Sequence, residues 1–237
     1  MSAPVDPLSL SADLLYEVKT GSDPDGLCER LATIDRERLE TALSDRRRRL
    51  AFWINCFNSY SELLAEQAVE PRWGVRLERW KVRTRDRIPI AGVWISLSDV
   101  KHGMLRGSKH PWGLGYLKRP FPSSFERQFR LEGCDARIHF ALSRGSDRCP
   151  PTTVFSPTDV DEELDVATAW YLEENVRLDR DHGVATVPRW LLWYHGDFGG
   201  RAGIERLLAR HGVISSDESV RIDYRERERS PNAVTPA

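Results

Sequence analysis

The sequence predicts an α+β fold, with helices packed on a small, mainly antiparallel sheet. Three observations carry that expectation. Apolar residues recur at helical spacing through the first part of the chain, most clearly at Leu50, Trp53, Ile54, Phe57 and Leu64. Period-two alternation then appears in separate runs at 79–95, 138–142 and 220–224. The order is helices first, then hairpin, strand, helix, strand, helix, strand, which suits an α+β layering.

Taken in order, Leu10, Leu14, Leu15 and Val18 share a helix face after Ser9 as a cap, and Pro24 opens a second helix carrying Leu27, Leu31 and Ile34. Ser44 is the expected N-cap of a long central helix over 45–69. Arg46 to Arg49 stand at its start, where cations oppose the helix dipole, so the run reads as a solvated face, with an anion or partner patch as the alternative. Asn55 and Asn58, poor helix formers three apart, need hydrogen-bond partners there; they either tie neighbouring loops to the helix or orient a catalytic group. Residues 79–95 read as a hairpin, with Trp80, Val82 and Thr84 in one strand, a turn at Asp86-Arg87, and Ile88 to Ile95 following. Ser98 caps a short helix that places His102 and Arg106 on one flank before Gly107. The aromatic and proline-rich stretch 109–130 suggests a covering loop.

Ile138, Phe140 and Leu142 predict an interior strand packed on the helix of Trp53 and Phe57, with His139 pointing away from the core. Thr158 and Asp161 resemble a capping box for a helix running through Tyr171. Val184 to Val187 reads as a short strand. Pro188 suits the first turn of a helix reaching Tyr194, a further helix spans 201–210, and Val220 to Tyr224 is the last strand. Residues 1–224 are expected to form one domain and 225–237 a charged, fraying tail.

Composition narrows the function classes. Thirty-five Lys and Arg against 36 Asp and Glu leave a net charge of −1, which argues against nucleic acid as the partner despite basic positions near Trp73, Trp80 and Trp94. The N-terminus lacks a basic start and apolar run, and no stretch approaches the ~18 apolar residues of a membrane span. The expectation is a cytoplasmic protein with no membrane partner. Cys28, Cys56, Cys134 and Cys149 have no paired metal-ligand spacing, so neither a metal nor another cofactor is expected.

The segment after residue 138 concentrates reactive groups. Cys149 follows His139 by ten positions, in a loop marked by Gly145, Pro150 and Pro151. A thiol and an imidazole that meet make an activated nucleophile; apart, they are a structural histidine and a small buried hydrophobe. His102 with Arg106 suits a carboxylate or phosphate group of a ligand, while pairing of Arg106 with a structural carboxylate such as Asp197 is the alternative.

Phe52-Trp53-Ile54-Asn55-Cys56-Phe57-Asn58, His102 to Arg106, His139 to Pro150 and Trp193 to Phe198 together resemble the domain of unknown function 547 family, in motif and in order. Phe57 stands where that family usually has Tyr, and Arg144 where it usually has the first Cys of its loop. The resemblance implies that a nucleophile at the first position would be missing here, whereas one at the second is Cys149. An arrangement of central helix and sheet also occurs, by analogy, in papain-like peptidases and transglutaminases. The leading expectation is a cysteine-dependent hydrolase or acyl-transfer enzyme with Cys149 as nucleophile, His139 as base and Asn55 or Asn58 as orienter or oxyanion donor. The alternative is a non-catalytic domain binding an anionic small molecule or peptide, or a protein partner, with Arg144, Arg106, His102, Asn58 and Asp197 around the ligand.

Overall fold

Four helices open the chain in the computed structural model, which describes residues 6–66, 84–143, 154–215 and 217–225. Helix α1 (Pro7–Thr20) is capped by Asp6 rather than by Ser9; the Asp6 carboxylate accepts from the Ser9 amide at 3.4 Å, and Pro7 takes the first turn, where no donor is needed. Helices α2 (Asp25–Thr33) and α3 (Arg36–Ala42) follow, and the long α4 (Arg46–Glu66) packs mainly on α1. Asp45, not Ser44, closes the start of α4 by accepting from the Arg48 amide at 3.0 Å, which places an anion at the end where the arginine run is unfavourable.

Those arginines are neither simply solvated nor an open anion patch. Arg46 and Arg47 reach Asp161 at 3.2 and 3.1 Å, Arg46 also meets Asp135, and Arg49 donates to the carbonyls of Leu43 and Arg130 at 2.8 and 2.7 Å. The run therefore stitches α4 to chain far away in sequence.

Among the described residues the hairpin spans 88–95, with its turn at Ala91-Gly92 rather than at Asp86-Arg87. Strands β1 (Ile88–Ile90) and β2 (Val93–Ile95) pair antiparallel around Ala91 and Gly92, both at positive φ (49° and 72°), the geometry a two-residue hairpin turn demands. Arg87 precedes β1 and forms no turn of its own, and Trp80 to Arg83 lie outside the described residues. Asp99–Leu105 forms a π-helical segment entered through Ser96, whose hydroxyl and amide bond Asp99 reciprocally; Ser98 makes no side-chain cap. Helix α5 (Ser124–Phe129) follows, and Trp53 donates to its Phe129 carbonyl at 3.0 Å.

Ile138–Ala141 is a four-residue helix, α6, not an interior strand. Ile138 and Leu142 are four apart, hence on one helix face, and enter the core with Trp53 and Phe57; Phe140, two residues on, faces a second core. With apolar groups covering both sides, alternation over five residues fits a helix as well as a strand. For the same reason His139 does not point to solvent: it is fully buried.

Helix α7 (Val160–Asn175) starts at Asp159 without a side-chain cap bond, so the expected capping box is absent; Ser156 instead bonds Asp159 and Glu163. Strands β3 (Arg177–Asp179), β4 (Val184–Pro188) and β5 (Arg221–Arg225) form the larger sheet, with β4 central, antiparallel to β3 and parallel to β5. Pro188 ends β4 rather than starting a helix, and α8 (Trp190–Trp193) and α9 (Gly200–Arg210) complete the parallel crossover. The fold is thus α+β, with one parallel strand pair in a largely antiparallel minority of sheet. Among the described residues, no helix is long and apolar enough to cross a membrane.

Candidate functional site

Between the two cores, polar side chains from four segments meet around Asp197. The π-helical turn supplies His102 and Arg106, the chain after it Lys109, α6 supplies His139, and the Gly196 to Phe198 bend between α8 and α9 supplies the carboxylate. Asp197 Oδ2 receives His139 Nε2 at 2.8 Å and Arg106 Nε at 2.6 Å, while Lys109 Nζ lies 3.0 Å from Oδ1. The side chains of Arg106, His139 and Asp197 expose no surface. Burial alone would raise the Asp197 carboxyl, but the bonds from His139 and Arg106 and the adjacent positive charge hold it well below the usual carboxylate range. Asp197 is an anion at every ordinary pH.

The same burial keeps the imidazoles neutral. It pushes His139 down to about 3, against the opposing pull of Asp197, and pushes His102 well below its ordinary value with help from Lys101 and Arg106. A neutral His139 whose Nε2 faces a carboxylate carries its proton there, which makes Nδ1 the acceptor nitrogen. The ring is fixed by stacking on Tyr194, with centroids 4.0 Å apart and planes at 24°, and Arg106 lies over the same tyrosine at 4.8 Å. Arg106 is also 2.6 Å from His102 through Nη1. Enclosed in this way, Arg106 pairs with Asp197, the carboxylate the sequence offered as its partner.

Backbone proximity shapes the carboxylate's position. Gly115, at φ 86°, and Gly196 let two loops touch; a Cβ on Gly115 would sit 2.5 Å from the Asp197 amide, and one on Gly196 2.7 Å from Gly115 carbonyl carbon. The Gly196 amide donates to Leu114 at 2.7 Å across that contact.

Asn55 and Asn58 hold the chain on either side of 144–153. Asn55 exchanges two bonds with Phe155, donating to its carbonyl and accepting from its amide, both at 2.9 Å. Asn58 donates to Ala141 at 3.1 Å and accepts from Ser143 at 2.8 Å. Both are fully buried, and each amide imitates a peptide group that the neighbouring backbone would otherwise lack. The group that orients His139 is Asp197. Cys149 and Arg144 lie outside the described residues.

Three participants were missed by sequence reasoning. Lys109 had no signal beyond its charge. Tyr194 sits three residues before Asp197 inside the motif Trp193 to Phe198, where an aromatic next to the acid was visible. Cys134 brings its sulfur within 4.8 Å of ligand atoms of His139 and Asp197, a grouping that also suggests a metal. The charges oppose that use, since Arg106 and Lys109 already neutralise the carboxylate and would repel a cation. Burial raises the Cys134 thiol strongly, so it rests protonated.

A family model described as "Protein of unknown function, DUF547" matches residues 41–172. Neither the curated proteins nor the solved structures give a match.

Proposed function

For a chain that belongs to the DUF547 family, we propose a cysteine-dependent hydrolase or acyl-transfer activity built on Cys149, His139 and Asp197. The observation that carries this reading is the buried His139–Asp197 pair, a neutral imidazole held by a permanent anion. That is the base-and-orienter half of a nucleophile triad, here with a carboxylate in the third place where Asn55 was expected. Asn55 and Asn58 act one step further out, by fixing both ends of the segment that carries Cys149. In this reading the Cys149 thiol gives its proton to His139 Nδ1 as sulfur attacks an acyl carbon. The imidazolium then returns the proton to the leaving group, and water releases the acyl group by the same route.

The other three cysteines provide an internal standard. Burial raises the thiols of Cys28, Cys56 and Cys134, so all should alkylate slowly. With limiting iodoacetamide near neutral pH and peptide mapping, Cys149 is expected to label at least about tenfold faster than each of them, and to slow in His139→Gln and Asp197→Asn variants whose melting curves show them folded. Equal labelling of all four, or a Cys149 rate indifferent to both variants, overturns the proposal. The anionic-ligand alternative would then turn on Arg144, as anion-dependent stabilisation lost in Arg144→Ala.

A further inference from the structure

We infer that the loop 108–121 is a docking surface for an anionic lipid membrane, independent of the chemistry proposed above. The loop is closed and firmly seated. Its neck is paired through Lys109 and Lys118, the Arg119 amide donates to Ser108 at 2.7 Å, and the Tyr116 hydroxyl lies 2.7 Å from His195 Nδ1. A segment so well tied has its backbone groups satisfied and its position set, yet it holds its largest apolar side chains in water. Trp112 is 78 % exposed, Leu117 62 % and Phe121 97 %. Scattered exposed hydrophobes are ordinary, but this density in ten residues is not.

Two of the exposed residues are also strained. Leu114 and Phe121 lie at φ 50° and 52°, a region that non-glycine residues seldom occupy, and Phe121, almost wholly exposed between two prolines, gains little packing from this chain in return. Strain that the fold does not use internally points to an external contact.

The charges select the partner. No acidic residue occurs between Asp99 and Glu126, while Lys118 and Arg127, both exposed and without an ion pair among the described residues, bracket Phe121. Tryptophan, leucine and phenylalanine flanked by cations are suited to the boundary of headgroups and acyl chains, with the cations at the anionic phosphates. The attachment is peripheral, at the surface of the bilayer.

Flotation of the full chain with phosphatidylcholine vesicles, with and without phosphatidylglycerol, tests this. The wild type should float with the anionic vesicles, and Trp112→Ser with Phe121→Ser should lower that partitioning by about tenfold or more. Lys118→Glu with Arg127→Glu should bring binding near the level on neutral vesicles. Phe121→Ser alone touches nothing in the core, so an unchanged melting temperature in that variant keeps the test sound. Failure of the wild type to float, equal binding to neutral vesicles, or full binding by either double variant overturns the inference. So does a wild-type dimer in sedimentation that Trp112→Ser with Phe121→Ser abolishes, since a second copy would then be the occupant.

Discussion

Asp197 joins two fully buried side chains, His139 and Arg106, and its neighbours set how stability responds to acid. In the unfolded chain a histidine protonates near pH ~6.5. In the folded chain burial holds His139 at about 3 and lowers His102 as well. The unfolded state therefore binds more protons below pH ~6.5, and stability falls as pH drops from there toward 3, by up to about 1.4 kcal/mol per unit for a fully buried histidine. Asp197 acts in a lower window: its depressed carboxyl contributes stability that is present above the usual carboxylate value and lost only as pH falls beneath it. Denaturant melts at about pH 7, 6 and 5 should show the histidine slope, and His139→Gln should reduce it. Parallel curves for the two proteins would mean that His139 is not neutral in the folded state.

At the scale of elements, α4 organises its surroundings through amides rather than through its apolar stripe alone. Asn58 satisfies Ala141, the last residue of α6, and Ser143 just beyond it, and Asn55 does the same for Phe155 on the far side of the intervening segment. Truncation at Asn58 leaves a buried carbonyl and a backbone amide without partners, each costing about 1–3 kcal/mol when water does not enter. Asn58→Ala should therefore lower stability by about 2–3 kcal/mol and speed hydrogen exchange at the Ser143 amide, while amides in α1 change only with global stability. Normal protection at Ser143 would show that another group holds it. The helix itself was legible from the spacing of Leu50, Trp53, Phe57 and Leu64, and the need of the two asparagines for partners was legible too. Which partners they found depends on chain about 83 to 100 residues away.

Across the whole molecule, α6 is the joint between two cores. Ile138 belongs to the core built around α1 and α4, and Phe140 packs on Tyr171, Trp190 and Phe198 in the core under the three-stranded sheet. A four-residue helix shared in this way should couple their unfolding. Phe140→Ala, which empties the space of a ring 1 % exposed, is expected to cost about 3–5 kcal/mol. It should lower a single transition seen alike by near-ultraviolet dichroism and by tryptophan emission. Separate transitions for the two probes would show the cores to be independent.

Periodicity by itself determined the early helices, because their apolar spacing is local and spans enough residues to establish a period of 3.6, and short β-branched runs near Val184 and Val220 supplied the strands of the α+β class. The helical stripe also marked Asn55 and Asn58 as polar residues in need of partners, and the motifs singled out His139 and Asp197. Five alternating residues at 138–142 could not distinguish strand from helix, since the difference lies in what covers each side, and only the second core covers Phe140. The bond between His139 and Asp197 is likewise beyond local pattern: it joins positions 58 residues apart, and its strength comes from the exclusion of water by both cores at once.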